Sequence, residues 1–257
     1  MAQRAIDFGL TAQDYATHRA GFTEALFDRV AAMGVRIAGA SVLDLGTGTG
    51  TLARGFARRG ARVTGLDPAA PLLEQARRLD AEAGVAIEYR VGRAEQTGLP
   101  AAAFDVVAAG QCWHWFDRPR AAAEAMRLLR AGGRLLHAHL DWLPLPGTVP
   151  HATEALILQH NPSWSGGNGT GLHGQNLADL SLAGFRDIET FSFDLAIAYT
   201  HDGWRGRIRA SAGIGASLPK DKIGRFDREH AALLAARFPE EPLQVPHRLW
   251  AALATKP

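Results

Sequence analysis

The sequence predicts an α/β protein built on a doubly wound, mostly parallel sheet, and three observations carry that prediction. Short apolar runs alternate with segments of helical periodicity over the first 140 residues. The run Val42-Leu43-Asp44-Leu45 ends in Gly46-Thr47-Gly48-Thr49-Gly50-Thr51, which reads as strand, tight turn and helix start. Asp67 closes the next apolar run about 20 residues beyond that loop. A carboxylate there, at the carboxyl edge of a parallel sheet, can accept both hydroxyls of a ribose.

The elements follow in order. Thr23 is placed to cap a helix whose apolar positions Ala25, Leu26, Val30 and Met33 recur at helical spacing and which stops near Gly34. A crossover helix is expected over 52–59, a second strand over 61–67, a third over 87–91 and a fourth over 104–109. The fourth is apolar enough to be buried on both faces. A helix over 119–129 tolerates Pro119 in its first turn, and Ala131-Gly132-Gly133 turns into a fifth strand. In the carboxyl half, 176–184 reads as helix, 185–195 alternates like an antiparallel strand, and 247–256 reads as a last strand. Two irregular pieces, 141–174 and 196–245, interrupt this half, and long insertions of that kind are usually lids or binding loops.

Composition narrows the function. At 257 residues and 47% apolar, the chain suffices for one sizeable domain with insertions. Basic residues number 28 against 26 acidic, so no strong field draws nucleic acid or membrane. The one cysteine, Cys112, excludes an internal disulfide and a cysteine-rich metal site. His137, His139, His151 and His160 lack the spacing of a metal site, so none is expected. With neither an apolar leader nor a membrane-length run, the expectation is a soluble cytoplasmic protein, monomer or homodimer.

The glycine loop separates two ligand classes. A dinucleotide fingerprint needs G-x-G-x-x-G, whereas here the third glycine comes one residue early. Asp44 stands two residues before Gly46, where it would repel a pyrophosphate but suits a cationic amino group. This arrangement resembles motif I of the class I methyltransferases that use S-adenosylmethionine. Asp14-Tyr15-Ala16-Thr17-His18-Arg19 resembles the Tyr-x-x-x-Arg segment that precedes the first helix in many small-molecule members. The run from Gly65 through Asp67-Pro68 to Leu72-Leu73 and Ala76 is similar to the family's G-x-D-x-S-x-x-M-L-x-x-A. Gly92-Arg93-Ala94-Glu95 looks like its adenine-side element. Gly110-Gln111-Cys112-Trp113-His114-Trp115-Phe116-Asp117 is similar to the A-x-x-x-H-W-F-D element of a subgroup that includes trans-aconitate methyltransferases.

The resemblance implies a Rossmann-like seven-stranded sheet with a reversed C-terminal hairpin; the insertions are read as a helical cap over the active site, with a separate helical subdomain for stability or dimerisation as the alternative. The parts would be a cofactor-binding core over 1–140, cap insertions over 141–175 and 196–245, a return to the core over 176–195, and a last strand over 246–257. It implies that Asp44, Gly46, Thr47, Gly48 and Gly50, with Tyr15 and Arg19, hold the amino-acid end of S-adenosylmethionine. Asp67 and Pro68 would take the ribose, Leu72, Ala94 and Glu95 the adenine, and Gln111 the methyl side. Tyr15, Trp113, Trp115 and Trp142 would line the acceptor pocket, joined by Trp204, Arg205 and Arg209 from a Y-T-x-x-x-W-x-x-x-x-R pattern, with Trp164 and His173 as further aromatic walls. His114 is the candidate general base, with a packing role as the alternative. The implied activity is methylation of an O, N or C atom of a small organic molecule. The alternatives are a cyclisation on the same fold, a dinucleotide-dependent oxidoreductase, or a non-catalytic binding protein.

Overall fold

The strands join one seven-stranded sheet, in the order β3-β2-β1-β4-β5-β7-β6. The computed structural model describes residues 21–257. β1 (Ser41–Leu45), β2 (Arg62–Asp67), β3 (Glu88–Val91) and β4 (Phe104–Gly110) pair in parallel, with Val42 opposite Val63 on one side and Val106 on the other. Parallel pairs need crossovers, and α2 (Thr51–Arg58), α3 (Ala70–Ala83) and α4 (Arg118–Leu128) supply them. Val42, Leu43, Leu45, Val106, Val107, Ala108 and Ala109 are at most 1% exposed, as strands covered on both faces require. Strand order reverses between β1 and β4, so the loops after these two strands flank the switch point where such sheets bind ligands.

Ahead of β1, α1 (Glu24–Ala32) buries Leu26, Phe27 and Val30. Ala25, expected inward, is exposed, and Phe27 takes its place on the stripe, edge-on to Phe56 at 5.2 Å between ring centroids. Thr23 is the N-cap residue, but its side chain makes no capping bond.

β5 (Leu129–Trp142) joins β4 in parallel, yet the pairing jumps from Phe104–Leu129 to Val106–Arg134. The turn expected at 131–133 is therefore a bulge inside the strand, with Gly132 at φ 72°. β7 (Leu243–Thr255) runs against β5: Gly132 N donates to Lys256 O, and Lys256 N to Gly133 O. With β6 (Arg186–Tyr199) at the edge, this is the reversed C-terminal hairpin that the resemblance implied. Among the described residues no helix is long and apolar enough to cross a membrane.

These residues form two compact units. The first comprises Gly21–Leu140, Leu172–Phe193 and Leu249–Pro257, and includes α6 (Leu177–Leu182). Its main core runs from Leu43 and Leu45 through Val107 and Trp113 to Ala252. The second comprises Asp141–Gly171 and Asp194–Arg248. It packs α5 (Val149–His160), α7 (His201–Arg209) and α8 (Lys220–Arg237) around Ile157, Trp204, Phe226 and Leu234.

Candidate functional site

β1 carries a carboxylate into the interior without fully satisfying it. Asp44 is 1% exposed. Its Oδ2 accepts from Thr47 Oγ1 at 2.7 Å and from Ala53 N at 3.2 Å, while Oδ1 is buried without a hydrogen-bond partner. Burial pushes the Asp44 pKa up to about 7 against the pull of those two donors. A cationic group reaching Oδ1 would favour the ionised form and supply the missing partner. The donor set therefore fits the amino group of an amino acid and disfavours a phosphate.

Two glycines of the loop are required by their neighbours. A Cβ on Gly46, at φ 62°, would stand 2.9 Å from Cys112 Sγ and 3.0 Å from Phe116. One on Gly50, at φ 77°, would stand 2.3 Å from Tyr89 Oη. The loop is thus pressed between the segment after β4 and a group beneath α3. Gly50 belongs to that packing, which the sequence reading assigned to ligand binding.

Asp67 closes β2 beside this loop. Its Oδ2 accepts from Gly48 N at 2.9 Å and its Oδ1 from Ala69 N at 2.8 Å. Burial raises its pKa against these donors. Each oxygen keeps acceptor capacity for a hydroxyl. Pro68 leads into the N-terminus of α3, where Leu72 is 5% exposed. Ala94 is buried in the main core. Glu95 is more occupied than the sequence suggested: Oε1 accepts from Asp117 N at 2.9 Å and Oε2 lies 3.5 Å from Arg93. Burial opposes its ionisation, but these donors hold its pKa below the usual carboxylate range.

After β4 the chain makes a sharp turn at Gln111, φ 57°, whose side chain donates to Leu140 O. Cys112 Sγ sits 3.1 Å from Leu45 O, tying the segment to the end of β1. In the 3₁₀ turn Trp113–Trp115, Trp113 is wholly enclosed, and its indole N–H donates to Asp179 Oδ2 at 3.0 Å. Trp113 therefore stands behind the site and does not line its surface, which corrects its expected contact with the acceptor. His114 and Trp115 are exposed, their rings 4.6 Å apart.

Sequence spacing did not reveal the histidines that β5 and the following chain pack beside this segment. His137 and His139 alternate on β5, with Nε2 atoms 3.0 Å apart, and His173 stacks on His139 at 3.5 Å. The His139 ring lies 5.9 Å from that of His114. Burial drives the His137 pKa down to about 3, so that ring is neutral.

Other expected site residues sit in the second unit and are otherwise engaged. Trp204 is fully enclosed and donates to Thr153 Oγ1 at 3.0 Å, so it is a core residue and not a pocket wall. Arg205 Nε and Arg209 Nη1 both donate to Asp227 Oδ1, at 3.1 and 2.8 Å, pinning α7 to α8. Trp142 donates to Glu154 Oε1 at 2.6 Å. Trp164 is partly buried against this unit's core. Tyr15 and Arg19 lie outside the described residues.

Comparison with known proteins bears on the whole arrangement. Residues 43–137 match the family described as "Methyltransferase domain". A malonyl-[acyl-carrier protein] O-methyltransferase of Serratia marcescens is 40% identical over 114 residues, 44% of this chain and 43% of its own length. The chain thus spans under half of that relative. A ubiquinone biosynthesis O-methyltransferase of Xanthomonas oryzae is 31% identical over 182 residues, 68% of this chain and 72% of its own. The solved structure of a Haemonchus contortus phosphoethanolamine N-methyltransferase with S-adenosylhomocysteine superposes with a TM-score of 0.56 at 20% identity, covering 97% of this chain and 57% of that one. The Xanthomonas relative aligns well beyond the glycine loop, across most of both sequences, and so the chain belongs to the class I S-adenosylmethionine-dependent methyltransferases.

Proposed function

We propose that this protein transfers the methyl group of S-adenosylmethionine to a small organic molecule, with an oxygen atom as the first acceptor to test. The buried, unpartnered Oδ1 of Asp44 behind the glycine loop is the observation that carries this reading. Both relatives described above are named O-methyltransferases, which supports an oxygen acceptor. The chain's balanced charge favours a small molecule over nucleic acid.

When bound, S-adenosylmethionine supplies an electrophilic methyl group on a sulfonium. Asp44 would hold the amino group of its amino-acid end, with Gly46, Thr47 and Gly48 letting it approach the main chain closely; Tyr15 and Arg19, which the resemblance assigns to the same end, lie outside the described residues. Asp67 accepts from the ribose hydroxyls; Pro68, Leu72, Ala94 and Glu95 border the adenine. Gln111, His114 and Trp115 border the acceptor; Trp142, Arg205 and Arg209, which the resemblance assigns to the substrate, are engaged within the second unit. Displacement at a sulfonium methyl needs alignment and exclusion of water more than covalent help. His114 takes the proton from the acceptor hydroxyl.

Calorimetry with S-adenosylhomocysteine and NADH tests the cofactor, and product mass on an acceptor panel tests the reaction. Binding of the first alone, and a product heavier by one methylene, are expected. Turnover with no mass gain would refute methyl transfer.

A further inference from the structure

Beneath the glycine loop lies a set of ionisable side chains that no step above uses. Arg54, on α2, has a side chain only 10% exposed, and the Asp80 side chain on α3 is 6% exposed. Arg54 Nε donates to Asp80 Oδ1 at 2.9 Å. Its Nη2 donates to Thr49 O at 2.8 Å, inside the glycine loop, and to Ala76 O at 3.4 Å, on α3. Tyr89, on β3, completes the set. Its ring lies over Gly65, where an added Cβ would meet Cε1 at 2.6 Å, and its hydroxyl stands against Gly50. One guanidinium thus spans the loop that follows β1 and the helix that follows β2.

We propose that Arg54, oriented by Asp80 and backed by Tyr89, is a positioning residue that locks the glycine loop to α3 and so sets the distance between the two ends of the cofactor site. This lock rests on the cofactor reading above, in which the loop grips the amino-acid end while Asp67 and the first turn of α3 grip the adenosine end. Ala76 and Asp80 lie one and two turns beyond Leu72 on that helix. Loosening the tie leaves each end its contacts but lets their separation vary, and the whole cofactor then loses affinity because both ends must be ordered at once. The planar fork suits this work: three acceptors in three directions are met by one rigid group, which lysine cannot reproduce. A charged pair this deep is weak evidence for a contribution to stability alone, since an apolar pair of similar volume can replace it without loss.

The test is the double variant Arg54→Met/Asp80→Leu, which leaves no unpaired charge, beside the single variant Arg54→Lys. Two quantities are read: the Kd for S-adenosylhomocysteine, and hydrogen exchange of the ligand-free protein. The double variant is expected to bind at least tenfold more weakly, with faster exchange confined to residues 46–54 and the first turns of α3. Arg54→Lys, which keeps the charge but cannot reach Thr49 O and Asp80 together, is expected to fall between the two and serves alone where the double variant does not fold. An affinity within twofold of the wild type overturns the proposal. So does exchange that rises equally in β1 and β4, which marks a general packing role. A wild-type protein that fails to bind S-adenosylhomocysteine refutes the cofactor reading instead, and the exchange pattern then decides the lock by itself.

Discussion

Asp44 is an ordinary carboxylate in the unfolded chain, with a pKa of 3.8, but the folded protein holds its proton up to about 7. The folded state therefore binds more protons between those values, so stability falls as pH rises through that window and levels off above it. A shift of this size corresponds to at most about 4 kcal/mol. Asp44→Asn removes the titration: its stability gain over wild type should be greatest at pH 8 and vanish near pH 4, while affinity for S-adenosylhomocysteine drops at least tenfold. Urea unfolding at several pH values reads the first effect; a stability difference independent of pH would sink the assignment. Affinity of the wild type should likewise strengthen as pH rises toward 7 and flatten above, because only the ionised carboxylate attracts an ammonium group. Asp67→Ala takes the acceptor from Gly48 N and Ala69 N and should weaken the same ligand by tenfold or more. His114→Ala should lower turnover while leaving that affinity intact, and unchanged turnover would make the histidine a packing residue.

At the scale of elements, α4 begins where two carboxylates meet. Asp117 caps it by accepting from Arg120 N, and Glu95 accepts from Asp117 N. Asp117→Ala should cost about 1 kcal/mol, seen as a lowered melting temperature, with the cofactor site unaffected. Element by element, the sequence spoke most clearly where the constraint was local. β1 and β4 are largely apolar runs because both their faces are covered, whereas the edge strand β3 buries only Tyr89, and the glycine loop and Asp67 sit at the ends of β1 and β2. β7 begins earlier than the sequence suggested, with Pro246 inside it, although a proline has no N–H for the ladder. The edge strand β6 outlasts its expected end, its alternation continuing through Ile197 to Tyr199. Contacts between distant residues left no trace: Trp113 meets Asp179 across 66 positions, and Arg54 meets Asp80 across 26. Gly50 was legible as a glycine that mattered, but its reason, the hydroxyl of Tyr89, arrives from another strand.

For the molecule as a whole, every described residue proposed to touch the cofactor belongs to the unit that contains β1 to β4, whereas the arginine pair first read as substrate-binding belongs to the other. In that second unit Asp227 is the common acceptor of Arg205 and Arg209. Burial works against its charge, but the two guanidinium groups hold its pKa below the ordinary value. Its contribution to stability is therefore present above the unfolded value and is lost as pH falls through the folded one. The group is partly solvated, so screening keeps that contribution small. Asp227→Asn removes the charge that joins α7 to α8 and should speed hydrogen exchange in those two helices, leaving the exchange of β1 and β4 and the Kd for S-adenosylhomocysteine as in the wild type. The same variant frees both arginines, so it separates their two possible roles. If the pair serves only to hold the helices together, the KM for the acceptor changes no more than the loosening of α7 requires, and Arg205→Gln and Arg209→Gln reproduce the exchange pattern. If either arginine also meets the acceptor, its glutamine variant raises KM well beyond the effect of Asp227→Asn, and the assignment of the pair to structure alone is wrong.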